Sequence, residues 1–153
     1  MKPRKDYIVL NGAQGSLDGN YIKFQIQPHM FRNYEDSPDM DMTIKLVSYS
    51  FTHDFGVAVQ GGHTAIVADI SNRNVYDSSS NVFMASQVYK YELVGATHTI
   101  SSDSMVYSAE VSCQPFTEIN FLIHLGNTEI TLLAGELLDS QFVLEIEYRK
   151  KQE

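Results

Sequence analysis

From Gln141 to Tyr148 the chain reads Gln-Phe-Val-Leu-Glu-Ile-Glu-Tyr. Phe142, Leu144, Ile146 and Tyr148 fall on one side of an extended backbone, and Gln141, Val143, Glu145 and Glu147 on the other. A helix would scatter these side chains around its circumference. A strand sorts them into one apolar face and one wet face. Such a strand must lay its apolar face against a second layer, so the segment points to a sheet packed on something else.

The same period recurs along the chain. Tyr21 to Gln27 sets Ile22, Phe24 and Ile26 against Tyr21, Lys23, Gln25 and Gln27, and Pro28, which cannot donate to a ladder, ends it. Asp6–Leu10 reads as a first short strand, Met42–His53 as a long one, and Thr64–Ile70 as an apolar run. Val82–Val94 is strand-rich, with Val88–Leu93 its best part. Thr97–Ile100 is a short strand and Met105–Cys113 a single longer one. Glu118–Leu125 precedes a turn at Gly126–Asn127. Loop signals separate these runs: the Gly- and Asn-rich stretch Asn11–Asn20, the acidic segment around Pro38, and Asn72–Ser80. About eight to ten strands with turns every 8–12 residues or so predict an all-β sandwich or barrel. No stretch reads as a full helix, and Asp36–Met42 is the best site for one helical turn.

The 153 residues fit one domain, expected over residues 6–149, with basic tips at 1–5 and 150–153. A chain this long buries about 68–70% of its unfolded surface and needs no staple. Its lone cysteine, Cys113, sits in an apolar strand pattern and reads as a small buried hydrophobe. The start carries no signal-peptide pattern, and no segment has the roughly 20 apolar residues of a membrane span.

The net charge is −8, and its distribution says more than its sum. Lys2, Arg4 and Lys5 open the chain and Arg149, Lys150 and Lys151 close it, leaving an acidic body between. That body repels a phosphate backbone, and no basic stripe interleaves with aromatics. Sequence-specific nucleic-acid binding is therefore not expected.

The tests for chemistry are negative. Glu35, Asp36, Asp39 and Asp41 lack the central glycine and closing glutamate of a calcium loop, so a solvated acidic loop is the default. The five histidines form no closely spaced ligand pair, and only a chance meeting of His53 and His63 across a hairpin would bring two together. His124 alternates with Ile123 and Leu125 and falls on the solvent or interface face. The glycines at 12, 15 and 19 precede a strand, whereas a phosphate cradle needs a helix behind it. No Gly-x-Ser-x-Gly elbow occurs. No catalytic residue, metal or cofactor is expected.

Ile8–Asn11, Phe24–Gln25, Asn72–Ser79, Ile119–Leu125 with its Gly-Asn turn, Ile130-Thr-Leu, Gly135 and Phe142–Tyr148 follow one another in an order that resembles a known family. These are the small jelly-roll vertex (penton) and minor capsid proteins of tailless double-stranded DNA viruses: virophages, polinton-type elements and large eukaryotic DNA viruses. The resemblance implies a single jelly roll of about eight strands in two antiparallel sheets, with no catalytic residues. It implies a ring-forming homo-oligomer, a pentamer, with other capsid proteins as partners. The implied location is the virion, assembled in the host cytoplasm or nucleus and not secreted. In that topology the first and last strands are antiparallel neighbours. Lys2, Arg4, Lys5, Arg149, Lys150 and Lys151 then form a basic pole facing the shell interior, an acidic neighbour or an inner membrane surface. The strand Val88–Leu93, with Tyr89 and Tyr91, is a candidate contact between copies. The alternative is a non-enzymatic binding module, either carbohydrate-binding or a trimeric receptor-binding sandwich, in which tyrosines would stack on sugars or line an interface.

Overall fold

The computed structural model describes residues 4–31, 40–56, 63–70, 81–88, 95–102, 105–126 and 128–150. Twelve strands are described: β1 Arg4–Asn11, β2 Ser16–Asp18, β3 Tyr21–Gln25, β4 Met40–Asp54, β5 His63–Ile70 and β6 Asn81–Val88. They continue as β7 Thr97–Ser101, β8 Met105–Ser108, β9 Glu110–Cys113, β10 Glu118–Leu125, β11 Thr128–Ile130 and β12 Gln141–Lys150. One helix, α1, covers Ala134–Leu138, and single 3-10 turns lie at Gly12–Gln14 and Pro28–Met30.

The strands form two antiparallel sheets. The first runs β1-β12-β4-β7, with β9 also on β4; the second runs β2-β3-β10-β5-β6-β8, with β11 on β10. In the first sheet no two neighbouring strands are consecutive in the chain, and in the second only β2–β3, β5–β6 and β10–β11 are, so the chain crosses repeatedly between layers. This is the jelly-roll connectivity, an all-β sandwich as expected from the sequence. The core lies between the layers. Phe121 on β10 and Phe142 on β12 stack across it with centroids 4.3 Å apart and planes 6° apart. Phe24 on β3 meets both edge-on at 6.0 Å. Deeper along the sandwich the Tyr49 hydroxyl donates to Gln87 Oε1 at 3.3 Å, joining β4 to β6.

A bulge explains an oddity of β4. Its buried side chains are Met42, Ile44 and Leu46, then Tyr49 and Phe51. The parity changes because the register against β12 steps from Leu144↔Leu46 to Val143↔Ser48, leaving Val47 as the extra residue. One inserted residue lets both halves of a long strand turn their apolar sides inward.

Three expectations need correction. Met105–Cys113 is two strands, not one: β8 pairs with β6 and β9 with β4. The chain changes sheet at Ala109, whose N–H donates to the Met84 carbonyl at 2.8 Å. A side that faces outward in one sheet faces inward in the other, so Tyr107 is exposed while Val111 and Cys113 are buried. The stretch Asn11–Asn20 is not all loop, because β2 folds back on β3 in a hairpin. The helix is at Ala134–Leu138, and Met40–Met42 begins β4. The rest of the expected helical turn lies outside the described residues. So do Val57–Val59, Asn72–Ser80, Asn127 and the 89–93 part of the expected strand. Arg4 and Lys5 belong to β1, and Arg149 and Lys150 to β12.

Candidate functional site

The first and last strands pair antiparallel, with Arg4 opposite Tyr148 and Asn11 opposite Gln141. On the far side of β12, Arg149 sits opposite Asp41 and Lys150 opposite Met40 on β4. The register therefore brings Arg4, Lys5, Arg149 and Lys150 to one end of the five-stranded sheet. Lys2 and Lys151 lie outside the described residues, as do Tyr89 and Tyr91.

The outer face at this end is a lattice of both signs. Lys5 Nζ lies 3.3 Å from Glu145 Oε1, and Arg149 Nε lies 2.7 Å from Glu147 Oε1. The hydrogen bond and charge of Glu145 raise the Lys5 pKa, and those of Glu147 raise that of Arg149. The Arg149 guanidinium in turn holds the Glu147 carboxyl below its ordinary value. Lys45 lies between Glu145 on β12 and Glu110 on β9 in the ladder. Strand alternation thus places carboxylates beside the terminal cations, a pairing that a count of basic residues misses. In each pair the cation is exposed while the carboxylate is largely covered, so the pair contributes little stability but reduces the field of the cation.

The edge of the sheet has a different character. Among the described residues β1 has a strand neighbour on one side only, β12. Its outward side chains include Tyr7 and Val9, which are 60% and 48% exposed. The Tyr7 hydroxyl reaches Glu145 Oε2 at 3.4 Å. Along this strand runs a groove of about 330 Å³, lined by Asp6, Tyr7, Ile8, Val9, His29 and Met30. An eight-residue edge strand with an aromatic and a β-branched side chain in the open is a template for pairing. Folds that stay single usually blunt such an edge with charge, proline or a bulge; β1 carries charge only at its start, Arg4 to Asp6, and none from Tyr7 to Asn11. Tyr7 and Val9 were not singled out from the sequence. The signal was there, since apolar residues at 7 and 9 as well as 8 and 10 mean that both faces of the strand carry apolar surface.

At the opposite end α1 closes onto β4. Glu136, buried, accepts the backbone N–H of Asp54 at 2.7 Å and that of Leu133 at 2.9 Å. The His53 ring Nδ1 lies 3.2 Å from the same carboxylate. Burial pushes this carboxyl up, but the two backbone donors and His53 together outweigh it and hold it below its ordinary value. His53 faces His98 across the β4–β7 ladder, with Phe55 in edge contact with the His53 ring at 5.1 Å. His63 begins β5 in the other sheet, so the two histidines of the expected hairpin do not share a sheet. No group of three or more metal-ligating side chains occurs among the described residues. Among them, no helix is long and apolar enough to cross a membrane.

No family model, curated protein or solved structure matches the chain.

Proposed function

We propose that this protein is a structural subunit, a single jelly roll that self-assembles into a ring. In this reading it serves as a vertex or minor component of a viral capsid. The observation that carries the reading is the β1 edge, which has no second strand beside it among the described residues and has Tyr7 and Val9 exposed on it. A surface of this kind gains by being covered, and a repeated head-to-tail contact closes into a ring when the rotation between copies divides a full turn. The proposed ring is a pentamer, the symmetry that the family resemblance implies. Its location is the virion, and its partners are other capsid proteins and an inner membrane surface. No catalytic step is assigned to it.

Light scattering of the purified protein, with electron micrographs of the same sample, tests the proposal. A single oligomer with five-fold views is the expected result. A monomer at about 100 μM, roughly the range of weak association, overturns it. A three-fold particle favours the receptor-binding sandwich instead.

A further inference from the structure

The far side of the five-stranded sheet holds a second short edge. β9 pairs with residues 42–45 of β4, and among the described residues it has no other strand partner. Four levels can be followed straight across the sheet. Arg4, Tyr148, Met42 and Cys113 share one level, and Asp6, Ile146, Ile44 and Val111 another. Lys5, Glu147, Thr43 and Ser112 share the level between them, and Tyr7, Glu145, Lys45 and Glu110 the last. Every step from β1 to β12 to β4 to β9 is antiparallel. β9 therefore runs opposite to β1, with the same face outward.

Resting on the self-assembly reading above, we propose that β1 of one copy pairs antiparallel with β9 of the next, continuing the sheet across the boundary. The occupant of the β1 edge is thus a second copy of this chain, and the contact is head-to-tail.

Charge selects this partner. A copy moved sideways along the sheet and turned about the strand direction, the rotation that lets the row close, keeps these levels and sets its Lys5 opposite Ser112 and its Tyr7 opposite Glu110. Within one chain Lys5 already bonds diagonally: it lies opposite Glu147 yet meets Glu145 at 3.3 Å. Glu110 stands on the same level as Glu145. It offers the incoming Lys5 the same diagonal from the other side, within reach of long side chains. Glu110 is exposed; within its own chain it stands opposite Lys45 and adds to the raised Arg149 pKa, and its open side faces the incoming Lys5. Two β1 edges meeting about a two-fold axis would place no carboxylate of β9 near Lys5.

Two measurements test the pairing, both on the full chain. The first is Glu110→Lys, which sets like charges together at the boundary and leaves the buried side of β9 untouched. Self-association is expected to weaken by at least about tenfold, with circular dichroism unchanged. The second places cysteines at the opposed positions in a Cys113→Ala background. In a single chain Lys5 and Ser112 are three strand spacings apart, about 14 Å, too far for a disulfide. Under mild oxidation, a mixture of the Lys5→Cys and Ser112→Cys variants is expected to give a covalent dimer on denaturing gels. Either variant alone should remain a monomer there. The double variant should give a ladder ending at the size of the ring. If the wild type self-associates, while Glu110→Lys is silent and the mixture fails to cross-link, the β1–β9 pairing is overturned and the ring reading survives. If the wild type is a monomer, both fall.

Discussion

Glu136 Oε2 accepts the Asp54 backbone N–H at 2.7 Å, fastening helix α1 to the last residue of β4. The other oxygen of the same carboxylate takes the Leu133 N–H, reaching back over the first turn of the helix. One buried anion thus satisfies an orphan donor of a helix start and a donor at a strand end. Replacing Glu136 with Gln keeps the shape and removes the charge. The variant is expected to lose about 2 kcal/mol, the scale of hydrogen bonds to a charged group. Urea unfolding checks this as a lower midpoint at unchanged slope.

The same group sets an acid limit. Its pKa is lowered in the fold, so the folded state favours the ionised form. The stabilisation it supplies is complete above its unfolded value and is lost as pH falls through its folded value. Stability of the wild type should therefore drop as pH falls below about 4.5, the ordinary value of the group. Glu136→Gln should show a shallower decline over the same range. Equal slopes in the two proteins would mean that other carboxylates dominate the acid limb.

Across the core, the Phe121–Phe142 stack ties the two sheets together at 4.3 Å. Both side chains are fully buried. Phe142→Ala is expected to cost about 3–5 kcal/mol through lost burial and the cavity left behind. Phe142→Leu, which refills most of the volume, should cost clearly less. Thermal or urea melts of the two variants check the order. Similar losses would place the main contribution in the ring stacking and not in the volume.

How much of this was legible in the sequence depends on what each residue reports. Phe142, Leu144, Ile146 and Tyr148 declared their buried face because the alternation is local and needs no knowledge of the partner strand. The parity switch from Leu46 to Tyr49 was also visible, though only pairing with β12 reveals Val47 as the bulge. The sheet change at Ala109 was hidden, since an extended backbone keeps its alternation while passing from one layer to the other. Helix α1 was hidden because five residues are too few to show a helical period, and Gly135 lowers its propensity further. At the terminal end, the sequence located the cations but not their carboxylates. The partner of Lys5 lies 140 positions along the chain and is set by register alone.

Cys113 gives a second titration. Burial alone pushes its thiol up to about 12. The thiolate is the reactive form, so alkylation of the native protein near pH 8 should be slower than that of an exposed cysteine by roughly two orders of magnitude or more. The folded state favours the protonated thiol. Its contribution is therefore complete below the unfolded value and is lost as pH rises from about 9 toward about 12. Cys113→Ala should lack that alkaline component. Fast labelling of the native wild type would show that β9 opens locally before the domain unfolds.

Two glycines, one packed beside α1 and one inside it, should respond in opposite directions to the same substitution. The Gly12 N–H donates to the Ser140 carbonyl at 2.8 Å, holding the turn after β1 against the segment that follows the helix. A Cβ at Gly12 would run into the Leu137 carbonyl oxygen and Ser140 Oγ, both part of packed structure. Gly12→Ala must push the two segments apart, at a cost of about 2–3 kcal/mol. Gly135 lies inside the helix, is exposed, and has nothing within 4 Å of the same added carbon. Gly135→Ala restricts the unfolded chain and adds helix propensity, so it should stabilise by about 0.5–1 kcal/mol. Unfolding midpoints of the two variants, measured side by side, check the sign at each position. A stable Gly12→Ala protein would mean that α1 rests loosely on this end of the sandwich, and the Glu136 contacts alone would then have to hold it.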